Sequence, residues 1–327
     1  MKVGIFGMGA YGMALSSALI KNNCDITMWS KFEEEKEQLE KTRKNEKVLP
    51  GFELSQSIKL TTSIQECAQD KDILIIVIPV PFIDSLCLEL KNYVTNQHIL
   101  IASKGIEEKT GLFAHEIVHK HIATNNIAVI SGPSFAVDLI EDLPQGLTLA
   151  SNNKETISIV KKAFQSKNIK IEIVEDIHGV EICGSVKNII AIASGMLAGL
   201  KVNDSTRAMF MVEAVNNMKY LLKVFNCNEN TIMTYAGLGD LLLTCTSEKS
   251  RNYNLGILLG EKNSRDVIDK YIKETTVEGY NTLLSLHEIL MNQKNNNQFF
   301  NTIYEIVVNG HDATELLNSI KENMEEI

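Results

Sequence analysis

The first part of the chain alternates short apolar runs with longer stretches whose apolar residues recur every three or four positions. KVGIFG reads as a strand ending in glycines, and AYGMALSSALIKN behind it has helical spacing. DITMW predicts a second strand and KFEEEKEQLEKTRKN a charged surface helix. SIKLTT, DILIIVIP, HILIASK, NIAVISG, GLTLAS and KIEIVE continue the strands, and DSLCLELKNYV, GLFAHEIVHKHI and ETISIVKKAFQSK supply helices between them. Strands alternating with helices predict a parallel α/β sheet. From about residue 179 the pattern changes to long helical periodicities over 181–200, 204–225, 228–246, 252–260, 264–273, 278–292, 298–307 and 312–324. All five prolines (50, 79, 81, 133 and 144) precede that point, and a proline-free stretch suits continuous helices. The expected organisation is an N-terminal α/β domain over residues 1–178 and an all-α C-terminal domain over 179–327. MNQKNNNQFFN, biased to Asn and Gln, is expected to be a solvated loop.

A chain of 327 residues fits two domains, and 44% hydrophobic with 22% charged residues is ordinary for a soluble globular protein. The net charge of -9 argues against nucleic acid or an anionic membrane surface as partner. An anionic ligand would need a local basic cluster. Six cysteines show no CxxC and no regular framework, so reduced thiols are expected rather than disulfides or a metal. MKVGIFGMGAYG does not resemble a signal peptide, and ILIIVIPVPFI is too short to span a bilayer. The run 179–200 is long enough, but Glu181, Lys187 and Asn188 interrupt it. A cytoplasmic protein without stable membrane insertion is expected.

GMGAYG sets Gly7, Gly9 and Gly12 in G-x-G-x-x-G spacing, between the first strand and the first helix. The three glycines would allow a tight turn, close approach of the backbone to a pyrophosphate, and close strand–helix packing. The helix N-terminus offers free N–H groups to the phosphates. A site selective for NAD usually carries Asp or Glu at the tip of the second strand. Here the tip reads Trp29, Ser30, Lys31, a hydroxyl and a cation, which favours the 2′-phosphate of NADP(H), with dual use of NAD(H) and NADP(H) left open. Glu33 to Glu35 are expected to face solvent, and Lys31 as a merely exposed first-turn lysine is the alternative.

GVEICGSVKNIIAIASGMLAGL carries Lys187 near the middle of an apolar helix-length run. A lysine there needs a partner or a task. SKGIE places Lys104 after an apolar strand, at the carboxyl edge where α/β ligands bind. SGPSFA places Gly132 and Ser134 after the next strand, although turn chemistry alone would account for the glycine. GLGDLLLTC sets Asp240 and Thr244 four apart on one helix face. SEKSRNYNLG gathers Ser250, Arg251 and Asn252, donors suited to a phosphate, with a plain surface arginine as the alternative for Arg251.

Together these segments resemble the bacterial-type NAD(P)-dependent glycerol-3-phosphate dehydrogenases. The residues that carry the resemblance are GMGAYG, LPG (49–51), IPV (78–80), SKGIE, SGPSFA, DLPQGLTLAS, GSVKNIIAIASGM, GLGDLLLTCTSEKSRN and VEGY (277–280). The resemblance implies a Rossmann domain followed by a helical domain, with the active site in the cleft between. It implies reduction of dihydroxyacetone phosphate to sn-glycerol 3-phosphate for glycerophospholipid synthesis, and a homodimer. Matched motif by motif, it implies Lys187 as general acid/base. It implies Lys104, Gly132, Ser134, Asn188, Asp240, Thr244, Ser250, Arg251 and Asn252 as substrate contacts. Ala10, Tyr11, Lys31, Lys104, Ala136, Arg251 and Glu278 would contact the cofactor.

That assignment answers the Lys187 question. Hydride attack on a ketone builds negative charge on its oxygen, and an ammonium can stabilise that charge and deliver the proton. Burial would lower the lysine pKa and a nearby Asp240 carboxylate would oppose the shift. The sequence departs from the family pattern at Val48, where an aromatic is usual before LPG. It departs again in VNDSTRAMFMVEAV, with Arg207 where a lysine is common, and over 281–327, which match loosely. The rivals are a ketopantoate-type reductase, a 3-hydroxyacid dehydrogenase, and a non-catalytic NADPH-binding protein. A carboxylate substrate would leave the Ser250–Asn252 set unexplained.

Overall fold

The computed structural model describes residues 1–325; residues 326 and 327, the end of the expected helical domain, lie outside the described residues. The chain forms two compact units. One comprises residues 1–103 and 114–180, the other residues 104–113 and 181–327. Residues 104–113 therefore lie with the helical unit, although the sequence embeds them among the strands.

The first unit is an eight-stranded sheet: β1 (Lys2–Phe6), β2 (Asp25–Trp29), β3 (Lys59–Thr61), β4 (Ile73–Ile76), β5 (His98–Ile101), β6 (Ile127–Ser131), β7 (Gln145–Ala150) and β8 (Ile169–Val174). Its order is β3-β2-β1-β4-β5-β6-β7-β8. Helices α1 (Ala10–Ile20), α2 (Glu33–Thr42), α3 (Ile64–Ala68), α4 (Ile83–Leu90), α5 (Ala114–His121), α6 (Ala136–Ile140) and α7 (Lys154–Ala163) complete it. The central strands β4, β5 and β6 are buried at every position, as continuous apolar runs such as ILII require of a sheet covered on both faces. Strand order reverses at β1, whose neighbours are β2 and β4. The crevice outside the strand ends at such a reversal is where ligands of open α/β sheets bind.

Every pairing is parallel except β6 with β7, which is antiparallel; β7 and β8 then run parallel to each other. The α/β pattern had predicted parallel pairing throughout. A parallel return needs a crossover as long as the strand, usually a full helix. Between β6 and β7 the helix is α6, of five residues, and the chain turns back at the same end of the sheet.

The second unit contains α8 (Ile177–Gly199), α9 (Asp204–Val224), α10 (Asp240–Thr246), α11 (Arg251–Gly260), α12 (Arg265–Glu274), α13 (Glu278–Asn292), α14 (Gln298–Val307) and α15 (Thr314–Glu325). The first turn of α8 belongs with the sheet unit. The helix is apolar on all sides and long enough to cross a membrane, yet 94% of its apolar window is buried inside the protein. It is a core helix, and its residues Ile189 to Ala193 are fully enclosed.

The segment 228–246 is not the single helix its periodicity predicts. A 3-10 turn (Glu229–Met233) and a π turn (Tyr235–Gly239) precede α10. Thr234 is extended, with ψ 173°, and its hydroxyl accepts from the Gly237 amide. A local side-chain bond of this kind competes with the helical ladder, so the absence of proline was not sufficient for continuity.

Candidate active site

The sheet unit presents a backbone site. Gly7 lies at the end of β1 with φ +133°, and its amide donates to the Trp29 carbonyl at 2.9 Å, fixing the tip of β2 beside the glycine turn. A Cβ on Gly12 would stand 2.2 Å from the Gly7 carbonyl oxygen, so glycine is required for α1 to start this close to β1. A Cβ on Gly9 would meet nothing within 4 Å. Gly9 is the N-cap of α1 and provides no side-chain cap. The first turn of α1 therefore directs uncapped N–H groups into open space, and the bare Gly9 backbone leaves room for a group to approach. These residues fit a dinucleotide pyrophosphate. Ala10 and Tyr11 occupy that first turn. The Tyr11 hydroxyl bonds to Ser134 Oγ at 2.8 Å, and Ser134 also donates to the Gly132 carbonyl at 3.2 Å. Gly132 is held to glycine by the Gly146 carbonyl oxygen, 2.7 Å from where a Cβ would be. Ala136 opens α6, which packs on α1.

Lys31 is exposed beyond β2 and makes no ion pair among the described residues. Of the acidic residues that follow, Glu33 and Glu34 are exposed as expected and Glu35 departs from the expectation. Glu35 is half-buried and its carboxylate accepts the hydroxyl hydrogen of buried Ser30, whose oxygen in turn accepts from the Phe32 amide at 3.1 Å. The Ser30 donor is thus already used. A carboxylate that the sequence placed in solvent belongs to the β2 tip, because α2 starts so soon after the strand that its first turn folds back over Ser30.

The helical unit presents a side-chain site. Lys187 on α8 is 5% exposed and Asp240, the first residue of α10, is 1% exposed. Lys187 Nζ donates to Asp240 Oδ1 at 2.5 Å and to Thr244 Oγ1 at 2.8 Å. Thr244 Oγ1 donates back to the Asp240 carbonyl at 2.7 Å, one helical turn away. Lys104 Nζ reaches the other carboxylate oxygen, Oδ2, at 2.8 Å. Two cations share the Asp240 carboxylate, one buried (Lys187) and one part-buried (Lys104), and Glu278 also acts on Lys187. Burial pushes the Lys187 ammonium down to about 8; Asp240 opposes that shift and Lys104 adds to it. Burial would raise the Asp240 carboxyl, but Lys104 and Lys187 outweigh it and hold it below its ordinary value. An ammonium has three donors, and two are used among the described residues. The third is available to an oxygen brought alongside.

Asn188 follows Lys187 by about 100° around α8 and faces other partners. Its Oδ1 accepts from Asn252 Nδ2 at 3.0 Å, and its Nδ2 donates to Glu278 at 3.4 Å. Asn252 Oδ1 accepts from the Gly279 amide at 2.9 Å. Asn188 and Asn252 thus join α8, α11 and the start of α13. Ser250 is the N-cap of α11, its hydroxyl accepting from the Tyr253 amide at 3.2 Å. The Arg251 side chain is exposed, with no hydrogen bond or ion pair among the described residues. Neither Ser250 nor Arg251 bonds to the lysine cluster.

Two features escaped motif-based reasoning. Gly279 has a Cβ position 2.6 Å from the Asn188 carbonyl oxygen, so any side chain there would push α13 off the asparagine pair. Gly195 and Gly199 on α8 face Gly256 and Gly260 on α11: a Cβ on Gly256 would stand 1.9 Å from the Ile192 carbonyl oxygen, and one on Gly260 2.2 Å from that of Met196. The four-residue spacing of small residues in both helices was the available signal. This contact brings the start of α11, with Ser250 to Asn252, alongside the Lys187–Asn188 turn. Among the described residues no group of three or more His, Cys, Asp or Glu side chains is placed to hold a metal.

Known proteins are similar to this chain over nearly its whole length. Residues 2–157 match the family model described as NAD-dependent glycerol-3-phosphate dehydrogenase N-terminus, and residues 176–318 match its C-terminus counterpart. A glycerol-3-phosphate dehydrogenase (NAD(P)+) from Acinetobacter baumannii is 28% identical over 323 residues, 99% of this chain and 90% of the relative. The like-named protein of Psychrobacter arcticus is 31% identical over 288 residues, 88% of this chain and 67% of that one. The crystal structure of glycerol-3-phosphate dehydrogenase from Coxiella burnetii superposes with a TM-score of 0.91 at 27% identity, covering 98% of each chain. The two matched regions take in both the glycine turn and the lysine cluster, and the chain belongs to the NAD-dependent glycerol-3-phosphate dehydrogenase family.

Proposed function

We propose that this protein is an NAD(P)-dependent glycerol-3-phosphate dehydrogenase that interconverts dihydroxyacetone phosphate and sn-glycerol 3-phosphate, with Lys187 as general acid and base. The observation that carries this reading is the third donor of buried Lys187, left over when Asp240 and Thr244 take the other two. When bound, the nicotinamide supplies or accepts the hydride. As the ketone is reduced, negative charge builds on the C2 oxygen. Lys187 Nζ gives that oxygen its proton and is left neutral; in the reverse direction neutral Lys187 takes the hydroxyl proton. Asp240 and Thr244 hold Nζ by two hydrogen bonds, so the ammonium need not reorganise as charge develops. Lys104 shares Asp240 and so helps to lower the Lys187 pKa.

In this reading the site residues divide between cofactor and substrate as the family resemblance implies. Gly7, Gly9, Ala10, Tyr11 and Gly12 receive the pyrophosphate, and Ala136 and Glu278 make further cofactor contacts. Ser250, Arg251 and Asn252 receive the substrate phosphate, a dianion suited to the free Arg251 guanidinium. Gly132, Ser134 and Asn188 hold the rest of the substrate. Both NAD(H) and NADP(H) are used, with Lys31 available to a 2′-phosphate. The product would feed glycerophospholipid synthesis.

The test is loss of nicotinamide absorbance on adding dihydroxyacetone phosphate, run in parallel with unphosphorylated dihydroxyacetone and with a 2-ketoacid. Turnover of the phosphorylated ketone alone is expected. Turnover of the 2-ketoacid alone would replace the reading with a carboxylate reductase, and binding of cofactor without turnover of any ketone would point to a binding protein.

A further inference from the structure

We propose that Glu35 determines how this enzyme divides its use between NADH and NADPH, by placing a negative charge where the adenosine ribose 2′ position is received. The inference rests on the dinucleotide site proposed above. Gly7 is tied to Trp29 at 2.9 Å, so the residue after Trp29 lies at the edge of the glycine turn. That residue is Ser30, 3% exposed, and it donates to the Glu35 carboxylate. The carboxylate is thereby anchored at the tip of β2 although it belongs to α2, five residues further on. Site geometry of this fold puts an acidic group there when the ribose carries a free 2′-hydroxyl.

The chemistry of the neighbouring groups supports the same role. Glu35 Oε2 takes the Ser30 hydrogen, and Oε1 retains its lone pairs for a ribose hydroxyl. The Ser30 hydroxyl has no hydrogen left for a phosphate. The other basic group in the first turns of α2, Lys36, is held by Glu33 at 3.1 Å and Glu40 at 3.3 Å. Glu33 also accepts from Thr62 at 3.0 Å, so it faces β3 rather than the turn. Lys31 is then the one cation in this short segment without an ion pair among the described residues. A 2′-phosphate would gain Lys31 and meet Glu35; a 2′-hydroxyl meets an acceptor with no opposing charge. Lys31 permits NADPH, and Glu35 limits it.

The experiment compares wild type, E35Q and S30A in the full chain, using adenosine 2′,5′-bisphosphate and 5′-AMP as calorimetric probes of the ribose site, alongside kcat/KM for NADPH and NADH. Glutamine keeps an acceptor for Ser30 and removes the charge. E35Q is expected to tighten the bisphosphate relative to AMP by about tenfold, the scale of one nearby charge, and to move kcat/KM toward NADPH by a similar factor. S30A leaves the charge in place and is expected to move the ratio less than E35Q does. Unchanged ratios in E35Q, or a larger change in S30A than in E35Q, would overturn the proposal and leave Glu35 as a brace for the β2 tip. Failure of the wild type to bind either probe or either cofactor would instead overturn the dinucleotide site itself.

Discussion

The two units prepare their sites by opposite means. In the sheet unit the site is made by side chains that are missing: Gly9 leaves open space, and Gly12 allows α1 to begin against Gly7. In the helical unit it is made by charged side chains, buried Lys187 and Asp240 with part-buried Lys104. A backbone site has no titrating group and is sensitive to a single methyl. A charged site tolerates small changes of shape and is sensitive to charge and pH. Function that relies on a cofactor and a proton needs one site of each kind.

The comparison can be broken most severely at Asp240. D240N keeps the shape and takes from buried Lys187 the carboxylate that it shares with Lys104. Breaking a buried pair in this way costs about 3–5 kcal/mol, and urea unfolding is expected to show a loss of that order. A loss below about 1 kcal/mol would mean that the shared carboxylate is not needed to hold the buried lysine. The smaller effect lies in the glycine turn. G9A places a methyl in the space left for the pyrophosphate and is expected to weaken cofactor binding by about tenfold, as inserting a methyl into a filled contact does. Its unfolding free energy should change by no more than about 1 kcal/mol, since no neighbour lies within 4 Å. Equal losses of binding and stability would show that Gly9 is structural.

The pH profile sharpens the contrast by one proton. Lys187 titrates near 8 because burial disfavours its charge. With Lys187 as the proposed general acid, ketone reduction needs it protonated, so kcat/KM in that direction should fall as pH rises through about 8. Alcohol oxidation needs it neutral and should rise through the same range. Cofactor binding at the backbone site should change little across it. Parallel pH dependence of both directions would exclude Lys187 as the shared group.

The strands and most of the helices were legible because each is a local pattern of apolar spacing. The glycine turn was legible for the same reason: Gly7, Gly9 and Gly12 lie within six residues of each other. What was illegible is long-range. Lys187 and Asp240 are 53 residues apart, Lys104 and Asp240 136, and Asn188 and Glu278 90. Only the family resemblance named them as residues of one site, and it did not say that Lys104 and Lys187 share a single carboxylate. Glu35 was misplaced because a charged helix face looks the same in sequence whether or not one carboxylate turns back to a serine. The antiparallel β7 depended on the length of α6, and the break at Thr234 on a threonine whose hydroxyl caps a π turn. The Gly256–Gly260 contact with α8 was visible as spacing but not as a pair.

The central claim is that the chemistry belongs to Lys187 and the cofactor hold to the glycine turn. The most direct measurement is K187A, assayed for turnover of dihydroxyacetone phosphate and, in the same preparation, for NADPH and NADH binding. The account predicts a fall in kcat of about a thousandfold, the scale of a lost general acid, with cofactor affinity retained within about threefold. Turnover within about tenfold of wild type, with cofactor bound, would contradict it.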